Sequence, residues 1–231
     1  MTTHFISEKM LTLKDLSAIL HDSIKLELSD SAKEKIQRCR SYLDDKAKHA
    51  TQPIYGINTG FGSLYNKHIS PNDLEKLQEN LVKSHACGTG PEIPDEIVRL
   101  MLFLKVQSLA YGYSGVQVET VQRLTDYFNN NVFPVVFEMG SLGASGDLAP
   151  LAHLSLPLIG LGEVRIDNQI TTGSQVNKKY GWETIHLKSK EGLALLNGTQ
   201  FMNAYAVWCM VHAHRILKLA NMIGALSLDA F

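Results

Sequence analysis

The sequence predicts a mainly α fold carrying one small β-hairpin and scattered short strands, and three features predict it. Apolar residues recur at three- and four-residue spacing through most of the 231 residues. Period-two alternation is confined to the stretch 164–176. Glycine, asparagine and proline stop most of the helical segments. The composition is that of a globular protein, 45% hydrophobic and 19% charged, and a net charge of −1 advertises no face for nucleic acid or another polyanion. The first residues lack the basic region and apolar run of a secretory signal. Cys39, Cys87 and Cys209 are few, odd in number and far apart, which fits reduced thiols in the cytoplasm.

In chain order, Thr12 and Asp15 form a capping-box pattern opening a short helix that carries Leu13, Leu16 and Leu20. Ser29 or Ser31 caps the next helix, where Ile36, Cys39, Leu43 and Ala47 share a face. Tyr55-Gly56-Ile57-Asn58-Thr59-Gly60-Phe61-Gly62 is a loop without apolar period. It lacks the Gly-Lys-Ser/Thr ending of a phosphate loop and the spacing of a dinucleotide fingerprint. A structural turn and an active-site loop both remain open for it. Ser70 and Pro71 start a helix whose apolar line, Leu74, Leu77 and Leu81, runs on to His85. His85 then reads either as a core histidine or as a base or substrate-orienting group.

Residues 95–111 form a helix apolar on most sides and therefore central, and Gly112 to Gly115 break it. Val118, Val121, Leu124 and Phe128 mark another amphipathic helix, and Val135 to Phe137 an extended run. The apolar stretch 148–161 is broken at Pro157. Residues 164–176 alternate as a hairpin, 191–196 make a short helix ended by Asn197-Gly198, and 199–231 read as one long helix. Cys209 and His212 share a face of that helix, but two such groups make no metal site. The long helix reaches Phe231 without a stop signal, so the sequence is expected to be the N-terminal portion of a longer protein.

In the stretch Gly140-Ser141-Leu142-Gly143-Ala144-Ser145-Gly146-Asp147-Leu148-Ala149-Pro150, around which the chain is organised, small residues crowd about one serine ahead of a helix start. Asp147 is placed to cap a helix that has Pro150 in its first turn, and Ser145 lies just upstream of that N-terminus. A nucleophilic serine is the last-ranked reading, because a G-x-S-x-G elbow needs glycine where Asp147 stands. Two other readings stay open for the stretch taken alone: a glycine-rich connection into a helix, or a backbone that itself reacts, through the open amide nitrogen of Gly146 and the unhindered carbonyl of Ala144.

Three segments together, 55–62, Gly143-Ala-Ser-Gly-Asp-Leu-Ala-Pro150 and Asn197-Gly-Thr-Gln200, resemble the signature segments of the aromatic amino acid ammonia-lyases and aminomutases. Ser84-His85 and Asn197-Gly-Thr-Gln200 are most similar to the histidine ammonia-lyase branch. The resemblance implies that Ala144, Ser145 and Gly146 cyclise, with Asp147 assisting, into a methylidene-imidazolone (MIO) electrophile, with no external cofactor and no metal. It implies catalytic roles for Tyr55, His85, Ser145 and Asn197, and contacts to substrate from Tyr55, Gly62, His85 and Asn197. Tyr55 would collect the β-proton, with neighbours that favour the phenolate. Asn197 would hydrogen-bond the MIO carbonyl. It further implies L-histidine as substrate, trans-urocanate as product, a cytoplasmic homotetramer, an MIO-bearing domain over 1–198, and the start of a central helical bundle over 199–231. The portion by itself is expected to have little or no activity. Within the same family a tyrosine or phenylalanine lyase or an aminomutase is the alternative, and outside catalysis a non-catalytic assembly domain.

Overall fold

The computed structural model describes residues 2–21, 23–50, 52, 54–59, 69–70 and 73–231. Its first unit is one that the helical reading of the sequence misses. Strands β1 (Thr2–Ile6) and β2 (Ile24–Leu28) pair in parallel across helix α1 (Leu13–His21). Leu26 and Leu28 are buried while Lys25 and Glu27 face water, an alternation too short to stand out in the sequence. The Asn129 amide stands in for a further strand at Leu26, accepting from its N–H at 2.7 Å and donating to its carbonyl at 2.9 Å. The capping box of α1 is present, with Asp15 N–H donating to Thr12 Oγ1 at 3.2 Å and Thr12 N–H to Asp15 Oδ2 at 2.9 Å. Ser29, rather than Ser31, caps α2 (Asp30–His49) through Ala32 N–H.

Helix α3 (Leu74–His85) begins after Asp73, and the Ser70 hydroxyl donates to the Asp73 carboxylate instead of capping the helix. Pro71 lies outside the described residues. Strand β3 (Thr89–Glu92), also unforeseen, leads into α4 (Asp95–Ala110). Four consecutive residues of α4, Leu100 to Phe103, are 0% exposed, so the helix is buried on every side and forms the centre of the core. Helix α5 (Val118–Asn129) packs on it, followed by strands β4 (Phe133–Pro134) and β5 (Phe137–Met139). Of the expected extended run only Phe137 is in a strand, and Val135 and Val136 link β4 to β5, which belong to different sheets. β5 pairs antiparallel with β3, and β4 joins β6 (Glu163–Ile166) and β7 (Gln169–Thr172). Arg165 of β6 bridges the carboxylates of Glu92 and Asp95, fastening that sheet to the start of α4.

Helix α6 (Leu148–Ser155) gives way at Pro157 to a 3₁₀ turn (Leu156–Ile159), as the proline demands. The predicted hairpin turns at Asp167 and Asn168, both left-handed with φ of 51° and 60°. It does not continue to Val176. Helix α7 (Gly173–Tyr180) starts there because Thr172 and Gln175 form a complete capping box. Helix α8 (Glu191–Leu196) follows, and then α9 (Gln200–Ala230). The early turns of α9 pack on α4 through buried Ala204 and Val211, whereas every residue from 213 to 231 is exposed. That exposed stretch includes Ile216, Leu217, Met222, Ile223 and Leu226.

The short α8 is held against α3 at Gly192. Its N–H donates to Gln78 Oε1 at 3.0 Å, and a Cβ there would stand 2.8 Å from the Gln78 carbonyl oxygen. Replacing Gly192 by Ala should force the two helices apart and cost roughly 1–3 kcal/mol. A urea midpoint unchanged from the wild type would contradict the close packing.

Candidate active site

Gly143 to Gly146 form a tight turn, closed by the Gly146 N–H donating to the Gly143 carbonyl at 3.3 Å. Ala144 and Ser145 sit exposed at its tip. Gly146 adopts φ +95°, and a Cβ there would lie 2.6 Å from the Gly198 carbonyl oxygen. The position therefore excludes a side chain both by conformation and by the wall it faces. Asp147, 0% exposed, does not cap α6 as the sequence suggests. Its backbone is turned away from a capping conformation, with φ −85° and ψ 58°. Its carboxylate caps α9 instead, accepting from Met202 N–H at 3.0 Å and from the Ser141 hydroxyl at 3.1 Å. Its own N–H donates to the Gly198 carbonyl at 2.8 Å.

His85 ends α3, half-buried. Its Nδ1 lies 2.8 Å from the Leu81 carbonyl, which can only accept, so Nδ1 carries hydrogen and neutral imidazole keeps Nε2 as its acceptor. Two joints bring this helix end to the turn. One is the β3–β5 pair, which leads straight into Gly140. The other runs from Gly88 N–H to His153 Nε2 on α6, at 3.0 Å. Burial lowers the pKa of His153, in keeping with an imidazole that accepts this bond in its neutral form.

Tyr55 opens a turn braced from within. Asn58 Oδ1 accepts from Ile54 N–H at 2.6 Å, and Thr59 Oγ1 from Gly56 N–H at 3.2 Å, with Asn58 and Thr59 both buried. The turn is tied to the segment before α8 by the Ser189 hydroxyl, which donates to the Ile57 carbonyl at 2.6 Å. Gly62, an expected contact to substrate, lies outside the described residues. Asn197 forms the C-cap of α8 in an extended conformation, its N–H donating to the Leu193 carbonyl at 2.9 Å and its Nδ2 to the same oxygen at 3.3 Å.

Tyr55, His85, Ser145 and Asn197, distant in sequence, line one cavity of about 520 Å³. Ala144, Gly146 and Asp147 build the turn that presents Ser145 to it. Leu81, Leu148 and Leu193 supply apolar wall. A larger cavity, about 1040 Å³ between α2, α5 and residues 183–189, contains none of the expected site residues. Sequence reasoning missed Tyr113, Ser114 and Lys190, which also line the smaller cavity. The signal for the first two was the Gly112 to Gly115 break, read only as an interruption between helices. Lys190 is left-handed, with φ 71°, and donates from Nζ to the Ser114 carbonyl at 3.0 Å. Among the described residues no group of three or more His, Cys, Asp or Glu is placed to hold a metal ion. Nor is any described helix long and apolar enough to cross a membrane.

The fold class is that of the ammonia-lyases and aminomutases. A histidine ammonia-lyase from Trypanosoma cruzi superposes with a TM-score of 0.85 and 38% identity, over 95% of this chain and 42% of that one. The phenylalanine aminomutase of Pantoea agglomerans superposes with a TM-score of 0.88 and 28% identity, over the same shares of 95% and 42%. The sequence then gives the family: the profile of the aromatic amino acid lyases matches residues 11–231, and the chain belongs to that family. It is 45% identical over 225 residues to histidine ammonia-lyase 2 of Fusobacterium nucleatum, covering 97% of this chain and 44% of that protein. The chain spans less than half the length of the curated relatives it matches.

Two measurements check the geometry. Asp147→Ala leaves Met202 N–H and the Ser141 hydroxyl without their acceptor and should cost about 1–3 kcal/mol, seen as a lower thermal midpoint. An unchanged midpoint would show that the buried carboxylate does not cap α9. Acidification should act through His153. Its folded pKa is below the unfolded value of 6.5, so its contribution is fully present above that value and fades as pH falls toward the depressed one. His153→Gln should therefore flatten the fall in thermal midpoint between about pH 7 and 5; an identical fall in wild type and variant would assign the acid sensitivity to other groups.

Proposed function

We propose that the protein eliminates ammonia from L-histidine to give trans-urocanate, using an MIO group made from Ala144, Ser145 and Gly146. The observation carrying this is the convergence of Tyr55, His85, Ser145 and Asn197 on one cavity, in a chain 45% identical to a histidine ammonia-lyase.

The turn fits the group. Closure joins Gly146 N to the Ala144 carbonyl carbon, and the carbonyl oxygen leaves as water with the amide protons of Gly146 and Ser145. A second water takes the Ser145 hydroxyl and its Cα proton, leaving an exocyclic methylene, and no oxidant is needed. Gly146, with no Cβ, allows its nitrogen to approach Ala144 against the Gly198 wall. Asp147 assists by anchoring the turn from the buried side. When formed, the group supplies an electrophile that turns a poor amine leaving group into a better one.

The remaining tasks fall to side chains. Tyr55, which lines the cavity, takes the β-proton. His85, fixed by the Leu81 carbonyl, orients the substrate imidazole through Nε2. Asn197 presents its amide to the MIO carbonyl, where negative charge develops. The exposed apolar length of α9 supports burial in a homotetramer, and three free thiols support a reducing, cytoplasmic setting. The relatives are more than twice as long as this chain, so these 231 residues by themselves are expected to turn over little or nothing.

The natural protein, assayed with L-histidine, L-tyrosine and L-phenylalanine, should prefer histidine by about tenfold or more, equivalent to about 1.4 kcal/mol of transition-state discrimination. Ser145→Ala should lower kcat on the order of a thousandfold with the fold intact. A preference for tyrosine or phenylalanine would overturn the substrate. Undiminished turnover by the Ser145→Ala protein would overturn the role of the turn.

A further inference from the structure

Lys105 is 1% exposed, on the central helix α4, directly behind the cavity wall. Its Nζ donates to the Ala194 carbonyl at 2.8 Å and to the Asn197 carbonyl at 3.1 Å. An amine is a costly way to fill a core, where a methionine would occupy similar space without desolvation. Burial pushes its pKa down to about 7. Even the neutral amine retains two N–H groups, enough for the two carbonyls it meets.

The reason for the amine lies in how α8 ends. Asn197 leaves the helix in an extended conformation, φ −77° and ψ 128°, without the left-handed C-cap that satisfies terminal carbonyls from within the chain. The Leu193 carbonyl takes the N–H of Asn197, those of Ala194 and Asn197 take Lys105, and that of Gly198 takes the N–H of Asp147. The connection between α8 and α9 is thus held from the core side by Lys105 and from the site side by Asp147. Gly146 packs on the same Gly198 carbonyl.

We propose that Lys105 is a positioning residue for the reacting turn: by fixing the Asn197 and Gly198 backbone it sets the wall against which Ala144, Ser145 and Gly146 close, and aims Asn197 into the cavity. The inference rests on the reading of that turn as the precursor of MIO. Ring closure needs Gly146 N held close to the Ala144 carbonyl carbon, and displacement of the supporting wall by a fraction of an ångström lowers the population of that arrangement. Lys105 touches neither substrate nor the reacting atoms. It acts through Asn197 and Gly198.

The experiment uses the natural protein as wild type, Lys105→Met, which removes both donors, and Lys105→Gln, which keeps a shorter donor. After fresh synthesis, the peptide spanning Ala144 to Gly146 is weighed over time, and the thermal midpoint of the folded fraction is measured on the same samples. Wild type should become lighter by two waters. Folded Lys105→Met should do so about tenfold more slowly or incompletely, and Lys105→Gln at an intermediate rate. If Lys105→Met is recovered only unfolded, Lys105→Gln decides by the same criterion. A variant that loses thermal stability yet closes the ring at the wild-type rate shows a merely structural lysine and overturns the proposal. A wild type that never loses the two waters overturns the reading of the turn itself, and the inference with it.

Discussion

Asp147 faces two ways, and the site depends on that. Its N–H holds the Gly198 carbonyl at 2.8 Å while its carboxylate holds the first turn of α9 through Met202 N–H at 3.0 Å. A buried carboxylate is costly unless hydrogen-bonded, and here its two oxygens find the Ser141 hydroxyl and an N–H at a helix N-terminus, where the macrodipole favours negative charge. The glycine turn, the α8–α9 connection and the long helix are thereby joined at one residue. Remove the joint, and Gly146 loses its wall, Asn197 its bearing and α9 its cap.

Other joints converge on the same place. The β3–β5 pair and the Gly88–His153 bond carry the end of α3, and with it His85, to the turn. Contact between Gly192 and Gln78 holds α8 against α3, and Asn197 at the end of α8 lines the cavity with His85. Ser189 ties the Tyr55 turn to the segment that enters α8. Each of the four candidate side chains stands in a turn or at a segment end, and none stands alone: rigidity comes from hydrogen bonds between segments distant in sequence. Such support keeps a site ordered to within the fractions of an ångström that the proposed ring closure and proton transfer would require.

Much of this was legible in the sequence, and the exceptions have physical causes. The long α-helices announced themselves by apolar spacing, and Pro157 and Asn197-Gly198 marked real ends. The β1–β2 pair stayed hidden because each strand is five residues long and its partner lies 22 residues away, so no local period reveals it. Helix α7 was hidden by the period-two pattern of β7, which stops at a capping box rather than at a composition change. For the site, the motif segments gave Tyr55, His85, Ser145 and Asn197, and the structure gathers these four at one cavity. Asp147 looked like a cap for its own helix because local sequence favours that partner; tertiary packing supplied another. Lys105 gave no signal at all, since a lysine in a mainly apolar helix reads as one polar position beside Arg99 and Gln107 until its two carbonyl partners, 89 and 92 residues away, come into view.

The joint at Asp147 can be tested by native-state hydrogen exchange of two backbone amides, those of Asp147 and Met202. Both donate within the joint, one to the Gly198 carbonyl and the other to the Asp147 carboxylate. The predicted result is protection comparable to that of the buried α4 amides, with exchange through large-scale unfolding. Exchange as fast as that of an exposed loop amide would contradict the joint, and with it the central place of Asp147 in holding the site together.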